Sequence, residues 1–404
     1  MTDTSRTLTR TLRPSTAQQL RQVLAIVSPV AWSALGVALL ALAVGRQRHW
    51  VELTVIGAMI LVLLAISVCF TLGRTEMAVE VAVRPQRVQA GEHAAAMVTV
   101  ANASGGRLLP VTMELTVGDG VAQFRVPFLG QGEAHDDVFL LPTRRRAIIP
   151  VGPATSVRSD PLGLLRRSQT WTGVQPLFVH PRVVSLHELG TGFLRDLEGT
   201  VTNQLSDADV AFHALREYQP GDDRRYIHWR TTARVGKHMI RQFEDTRRSH
   251  VGIVVDGTKG AYRDEEDFDT AVSVAASLGL RAMRDEQDLS MVVAGDRIPS
   301  SVGSGMLDTL SGVDLAPRGS GLVTEVNRMF TYASGFSLAV LITGANTSVS
   351  DLRAASTLFP LDVRVVMVRV DVDAEPALQP LGDQRLLTLA VLEDLPELLW
   401  RAAA

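Results

Sequence analysis

The sequence predicts a multi-domain protein with an N-terminal transmembrane α-hairpin, a β-sandwich-like domain and an α/β domain of the Rossmann type. Three observations support this fold class. Two uncharged runs of about 20 residues lie near the N-terminus, short strands with a period of two follow them, and apolar strands alternate with helices over residues 250–400. The chain has 404 residues, which is too long for one ordinary hydrophobic core.

Composition narrows the class of protein further. Hydrophobic residues make up 46% of the chain, which is high for a purely soluble protein, and the excess is concentrated near the N-terminus. The formal net charge of -3 argues against a nucleic-acid-binding protein, because such proteins usually carry a strongly basic face. The single cysteine, Cys69, excludes an intramolecular disulfide and fits a reducing compartment.

The predicted membrane hairpin occupies residues 23–74 and follows a basic tail at 1–22. Its uncharged runs, 23–44 and 53–72, each have the length of a helix that crosses the hydrocarbon core. A cleaved signal peptide is disfavoured because the first run is too long and a second follows it directly. A buried hairpin of a soluble protein is the other alternative.

Charge asymmetry predicts the orientation of this hairpin. Arginines outside the two runs outnumber those of the connecting loop, Arg46 and Arg48; the outer ones are Arg6, Arg10, Arg13, Arg21, Arg74, Arg84 and Arg87. Since positive residues favour the cytoplasmic side, both termini are predicted to be cytoplasmic, in a multi-pass protein of the inner (plasma) membrane.

Residues 75–180 read as a small antiparallel β-sandwich or barrel. Six short strands with glycine-rich turns are predicted, beginning with the alternating segment 77–84. Residues 160–164, with the sequence DPLGL, read as a turn. No catalytic or metal-site spacing is present, so this domain is predicted to be a spacer or a protein-binding module.

Residues 181–249 hold a connector followed by the most chemically crowded segment of the chain. Nine Lys or Arg and five Asp or Glu lie between His213 and His250. Aromatic side chains are interleaved with them, although only 5% of the chain is aromatic; they are Tyr218, Tyr226, Trp229 and Phe243. This mixture predicts that the segment packs against another surface and is not a plain solvated face, with arginine stems and aromatic rings in contact.

The local structure of this segment is predicted from its turn residues. Residues 220–223 (PGDD) indicate a turn, and 223–234 a short helix with Asp222 or Asp223 near its start. One interpretation is a buried, salt-bridged cluster of Arg216, Asp222, Arg225 and Trp229. The other is a recognition surface for a partner or an anion. The spacing of His213, His228 and His238 matches no usual metal-ligand pattern.

These residues also carry a resemblance to a known family. Their order along the chain resembles the signature of the bacterial family catalogued as domain of unknown function fifty-eight. The matching positions in this sequence are Arg216, Tyr218, Pro220, Gly221, Asp222, Arg225, His228, Trp229, Arg230, Arg241 and Phe243. The resemblance implies a membrane hairpin, a β-rich segment and a C-terminal von Willebrand factor A-like domain. No enzymatic activity is established for the family, and its members often accompany MoxR-type AAA+ ATPases, which implies such an ATPase as a partner.

Residues 250–404 are predicted to form the α/β domain. Strands are expected at 250–256, 289–295, 337–345 and 361–370, with helices at 264–285, 304–312, 321–334, 348–358 and 392–401. In such a sheet, ligands sit beyond the carboxyl ends of the strands.

The end of the first of these strands resembles the metal-ion-dependent adhesion motif of von Willebrand A domains. Asp256 is present, but Thr258 and Gly260 stand where that motif has two serines, so one hydroxyl ligand is missing. Even with Thr324 or Asp269 added, too few oxygen ligands remain to bind Mg²⁺ well. The positive charge of Lys259 nearby further disfavours a cation. No metal or other cofactor is therefore predicted, and Asp256 is expected to bond to loop amides.

The predicted function is that of a non-enzymatic membrane-anchored adaptor or scaffold that binds protein. The resemblance suggests work with a MoxR-type AAA+ ATPase in assembly or maturation of a complex at the cell envelope, without nucleic acid. The alternative is an enzyme or an anion sensor centred on residues 216–230, for instance a hydrolase with Asp222 or Asp223 as base and His228. Motifs for a nucleophile elbow, a phosphate-binding glycine loop and a zinc protease are absent.

Overall fold

The computed structural model describes residues 28–71, 76–160, 164–186, 210–219, 226–245, 249–300, 302–315, 321–382 and 384–403. The chain divides into two compact units. The first comprises Met1–Val88, Glu92–Thr143 and Ile148–Phe178, and the second comprises Gln89–Gly91, Arg144–Ala147 and Val179–Ala404. The protein is a mixed α/β chain with two apolar N-terminal helices and several sheets.

The first unit begins with the predicted helical hairpin. Helix α1 spans Pro29–Arg48 and helix α2 spans Val51–Thr71. The Ser28 side chain accepts a hydrogen bond from the Ala31 amide and caps α1, and proline at the first helical position is pre-set for helix. By length and composition both helices are able to cross a membrane, a test that a buried core helix or a signal sequence also passes.

Small residues bring α1 and α2 together. A Cβ atom added at Gly57 of α2 would lie 2.8 Å from the Ala38 carbonyl oxygen and 2.8 Å from Cγ of Leu42, both on α1. Only glycine therefore allows this separation of the two backbones, as is common where membrane helices pack.

Replacement of Gly57 by leucine is expected to separate the two helices. The larger side chain has no space against α1, and overpacking of this kind costs about 2 kcal/mol. The thermal midpoint of the full chain in mild detergent should fall. Gly36→Leu on α1 is the matched control, because no heavy atom lies within 4 Å of a Cβ at that position; equal midpoints for the two variants would contradict this packing.

The rest of the first unit is rich in antiparallel strands, which form two sheets. One has the strand order β1-β3-β6, and the other has the order β2-β9-β7-β4-β5 with β8 paired to β7. The strands are β1 Met77–Arg84, β2 Arg87–Gln89, β3 Ala95–Asn102, β4 Val111–Val117, β5 Gly120–Val126, β6 Ala134–Leu140, β7 Ala147–Ser159, β8 Arg166–Thr170 and β9 Gln175–His180. All six predicted strands are present, and β2, β8 and β9 were not predicted.

Two residues of the segment predicted as a turn at 160–164, Asp160 and Leu164, contact the helical hairpin inside this unit, and 161–163 lie outside the described residues. Asp160 is buried, and its Oδ1 accepts a hydrogen bond from the Leu165 amide. Its Oδ2 accepts a hydrogen bond from the hydroxyl of Ser67 on α2 at 3.0 Å. The Ser28 amide, at the start of α1, donates to the Leu164 carbonyl at 3.0 Å. Asp160 and Leu164 therefore contact the hairpin where α1 begins and where α2 approaches its end.

The second unit contains a seven-stranded sheet with the order β14-β13-β12-β15-β16-β18-β17. Its strands are β12 His250–Val255, β13 Asp288–Val293, β14 Asp296–Ile298, β15 Leu338–Gly344, β16 Arg364–Val370, β17 Ala377–Leu381 and β18 Gln384–Leu389. The five central strands pair in parallel, whereas the edge strands β14 and β17 are antiparallel to their neighbours. The four predicted strands are all central, and the three others were not predicted.

Helices bury both faces of this sheet, as the continuous apolar strands indicate. Its helices are α4 Glu265–Arg284, α5 Gly303–Ser311, α6 Gly321–Tyr332, α7 Val349–Ser356 and α8 Leu395–Ala403. Successive residues of β12 enter different cores: Ile253 belongs to the same core as Phe268 of α4, and Val254 to the same core as Met329 of α6. All five observed helices, α4 to α8, lie close to the positions at which helices were predicted.

Candidate functional site

The carboxyl end of β12 continues into the tip loop, residues 256–262. Asp256 is only 2% exposed there. Its Oδ1 accepts a hydrogen bond from the Thr258 amide at 2.9 Å, and its Oδ2 accepts one from the hydroxyl of Thr343 at 3.2 Å. Both carboxylate oxygens are thus engaged by the protein itself, one of them by a loop amide.

The other hydroxyls of the tip loop are also engaged. Oγ1 of Thr258 accepts a hydrogen bond from the Gly321 amide at 3.0 Å, at the start of α6. The hydroxyl of Tyr262 donates to the backbone carbonyl of Asp256 at 2.7 Å. Burial raises the pKa of Tyr262 well above its ordinary value, so this hydroxyl stays protonated and remains a donor.

The two glycines of the tip loop, Gly257 and Gly260, differ in the space available for a side chain. A Cβ atom added at Gly257 would lie 2.3 Å from the Cα of Ala294, which follows β13. A Cβ atom added at Gly260 would meet no heavy atom within 4 Å. Gly257 therefore lets the ends of β12 and β13 approach each other, while Gly260 leaves open space where the adhesion motif has a serine.

The two further candidate ligands for Mg²⁺, Asp269 and Thr324, lie on helices α4 and α6. Asp269 of α4 forms ion pairs with Arg145 at 2.7 Å and with Arg146 at 2.8 Å, and Thr324 is exposed on α6. Over the described parts of the chain, no group of three or more His, Cys, Asp or Glu is arranged to hold a metal ion. Asp256, Thr258 and Thr343 instead bond to one another and to the surrounding backbone.

Apolar side chains are exposed where three neighbouring strands end. Val349, Val372 and Val391 follow the carboxyl ends of β15, β16 and β18, and all three are exposed. Because these strands run parallel, the three valines lie at the same edge of the sheet. We call them the valine rim.

The described part of the segment that resembles the family signature consists of a β-hairpin and a short helix. Strands β10 (Val210–Glu217) and β11 (Met239–Asp245) pair antiparallel, and helix α3 (Trp229–Val235) lies between them in sequence. Ile227 and Ile240 form an isolated bridge and are both buried, which attaches the start of α3 to β11.

The start of this helix corrects the prediction of a helix over 223–234. Residues 226–228 precede the helix, and His228 caps it: its Nδ1 accepts a hydrogen bond from the Thr231 amide at 3.2 Å and lies 2.8 Å from the hydroxyl of Thr231. Asp222 and Asp223, one of which is predicted to lie near the helix start and complement its dipole, are outside the described residues. His228 was missed because imidazole is an uncommon N-cap.

The predicted buried cluster is corrected at Trp229, whose residue is 64% exposed. Its ring lies edge-on to His238 at 6.1 Å, and His238 in turn lies edge-on to Tyr218 at 6.3 Å. The exposure arises because α3 buries none of its own residues. Arg230 is exposed as well. The remaining signature positions lie outside the described residues, wholly for Pro220, Gly221, Asp222 and Arg225 and in their side chains for Arg216, Arg241 and Phe243.

An arginine pair that the sequence did not single out lies in the second unit. The side chain of Arg146 is only 4% exposed, forms an ion pair with Asp269 and donates hydrogen bonds to the backbone carbonyls of Leu310 and Val313. Its guanidinium also lies over the ring of Phe268 at 5.0 Å. Burial lowers the pKa of Arg146, whereas the hydrogen bond to Asp269 raises the pKa of Arg145, whose side chain is 47% exposed.

Comparison with known proteins supports the family resemblance. The family described as "Protein of unknown function DUF58" matches residues 214–391, a range that begins within β10 and ends after β18. This match supports the resemblance over that range, which is less than half of the chain. No curated protein is significantly similar to the chain.

Solved structures offer only distant likenesses. A CARDB domain from Pyrococcus furiosus is 15% identical, with 26% of this chain and 86% of that chain covered and a TM-score of 0.20. A putative ApaA protein from Bordetella pertussis is 18% identical, with 27% and 97% covered and a TM-score of 0.19. A putative beta-galactosidase from Bacteroides fragilis is 12% identical, with 73% and 39% covered and a TM-score of 0.19. Scores this low do not indicate a shared fold.

Proposed function

We propose that this chain is a non-enzymatic, membrane-anchored adaptor that binds a cytoplasmic protein through the carboxyl edge of its parallel sheet. The observation that carries the proposal is the combination of a self-satisfied tip loop with an exposed valine rim. Both carboxylate oxygens of Asp256 accept hydrogen bonds within the protein, while Val349, Val372 and Val391 are exposed at the same edge of the sheet. Exposed apolar side chains with a polar surround are typical of a protein-binding surface.

The strand order supports the assignment of a von Willebrand A-like domain to residues 250–404. Parallel strands with helices on both faces place ligands at the carboxyl edge, where the chain reverses its direction of winding. Here that reversal falls between β12 and β15, next to Asp256 and Thr343. In the first unit, two antiparallel sheets support a β-sandwich-like domain.

The hairpin of α1 and α2 is the proposed membrane anchor. Its helices have the necessary length and apolar composition, and arginines outside the hairpin outnumber those in its loop. We therefore propose a plasma-membrane protein with both termini in the cytoplasm. The bonds from Ser28 to Leu164 and from Ser67 to Asp160 support a β-rich region that begins directly at the membrane surface.

The proposed partner is a MoxR-type AAA+ ATPase, acting with this chain in assembly or maturation of a complex at the cell envelope. This choice rests on the family resemblance alone. The geometry contributes the chemistry of the surface: a partner at the valine rim has to supply apolar side chains of its own.

Co-purification tests this proposal. The full chain should be expressed in the bacterium from which it comes and purified in mild detergent. Mass spectrometry should then identify the ATPase among the proteins that co-purify with it. Val372→Glu/Val391→Glu should reduce the retained ATPase about tenfold, since it places two charges in an apolar interface. Val121→Glu/Val302→Glu is the matched control, because these valines are equally exposed but lie on β5 and before α5. Equal retention by both double variants would contradict the proposed surface.

A further inference from the structure

A second surface with a different chemistry lies on helix α3. Trp229 and Ala233 are four positions apart, as are Arg230 and Arg234, so the four side chains share one side of the helix. All four residues are exposed. We call them the α3 face.

The opposite side of α3 is held against the hairpin. The hydroxyl of Thr232 accepts a hydrogen bond from the Met239 amide at 3.0 Å, and the His228 amide donates to the Met239 carbonyl at 2.7 Å. The backbone N–H of Gly236, which has a positive φ of 76°, donates a hydrogen bond to the Thr232 carbonyl and ends the helix. The α3 face therefore points to solvent from a helix whose start and middle are bonded to Met239 of β11.

The charge of this surface is positive. Over residues 226–240 there are three Lys or Arg and no Asp or Glu. Lys237 is paired with Glu217 at 3.1 Å, whereas Arg230 and Arg234 have no ion-pair partner among the residues that the structure describes. Two unpaired guanidinium groups thus stand beside an exposed indole whose orientation His238 supports at 6.1 Å.

We propose that the α3 face binds an acidic segment of a protein partner. Tryptophan and arginine are the residue types that contribute most binding energy at protein interfaces, and arginine forms paired hydrogen bonds with carboxylates. Two carboxylates one helical turn or two strand residues apart match Arg230 and Arg234, and an apolar residue next to them matches Trp229. An anionic membrane is the weaker fit, because lipid-binding segments carry clusters of about four to eight basic residues.

This inference deepens the proposed function, since it adds a second contact for a protein partner, but it concerns a different surface. The two are separable by experiment. If the acidic ligand binds and no ATPase co-purifies, the α3 face stands and the adaptor proposal falls. If the ATPase co-purifies equally well with α3-face variants that have lost the acidic ligand, the adaptor proposal stands and the α3 face serves another acidic protein.

The experiment uses the full chain in nanodiscs of neutral phosphatidylcholine and a fluorescein-labelled peptide of repeating Glu-Glu-Leu. Fluorescence anisotropy should show saturable binding that weakens with added salt, because exposed ion pairs are screened. A Lys-Lys-Leu peptide of equal length should not bind. Arg230→Glu/Arg234→Glu should weaken binding of the acidic peptide at least about tenfold, and Trp229→Ala by a similar factor.

Matched controls separate this face from general charge. Arg125→Glu/Arg284→Glu makes the same change of charge at two other exposed arginines, and Trp400→Ala removes another exposed indole; both should leave binding unchanged. If the charge reversal impairs folding, as judged by circular dichroism, Arg230→Gln/Arg234→Gln takes its place with the same expectation.

Two results would overturn the proposal. One is equal binding of the acidic peptide by the α3-face variants and the control variants. The other is displacement of the peptide by vesicles containing phosphatidylglycerol as effectively as by unlabelled peptide, which would assign the face to lipid headgroups.

Discussion

Gly257→Ala is expected to destabilise the second unit by about 3 kcal/mol. The added Cβ would lie 2.3 Å from the Cα of Ala294, and the atoms in conflict belong to the backbone, which has no rotamer to change. Relief requires the ends of β12 and β13 to separate at the centre of the parallel sheet. That separation would also disturb the Thr258 amide and its bond to Asp256.

Pulse proteolysis of the full chain in a urea series measures this effect on the second unit. Gly260→Ala is the matched control three residues away, where the added methyl group meets open space and the midpoint should be unchanged. A midpoint for Gly257→Ala that equals that of Gly260→Ala would show that the tip loop does not approach Ala294 as described.

Arg146→Met is the second substitution with a large expected effect, a loss of about 3 kcal/mol. Methionine keeps the apolar stem but removes a buried charge, which leaves the carbonyls of Leu310 and Val313 without their donor. Asp269 would keep Arg145 as its partner, which limits the loss. The arginine is expected to remain charged at neutral pH even though burial lowers its pKa.

Arg145→Met provides the comparison within the same ion-pair group. Its side chain is half in solvent, so the loss should be about 0.5 kcal/mol. Urea midpoints for the two variants, measured side by side, should therefore differ clearly in the second unit. A larger loss for Arg145→Met than for Arg146→Met would contradict the burial assigned to these two side chains.

Elements with a strong period were predictable from sequence. The apolar runs of α1 and α2, the alternating strands such as β1 and the continuous apolar strands such as β12 all appear where the pattern places them. Burial on one face or two is recorded directly in the spacing of apolar residues. Short edge strands such as β14 and β17 were missed because they bury little and leave almost no pattern.

The candidate sites were less predictable, because they depend on contacts between distant residues. The sequence indicated that Asp256 bonds to loop amides, but the contribution of Thr343, 87 positions away, follows from strand order alone. Arg146 and Asp269 are separated by a whole domain in sequence. In the signature, composition left open a buried cluster or a recognition surface, and the exposure of Trp229 on the short helix α3 contradicts the buried cluster at that residue.

Hydrogen–deuterium exchange of the full chain with and without the co-purified ATPase tests the central claim most directly. The claim is that the carboxyl edge of the parallel sheet binds another protein. The account predicts that the ATPase slows exchange in the segments around Val349, Val372 and Val391. Unchanged exchange in all three segments, with the ATPase bound, would contradict it.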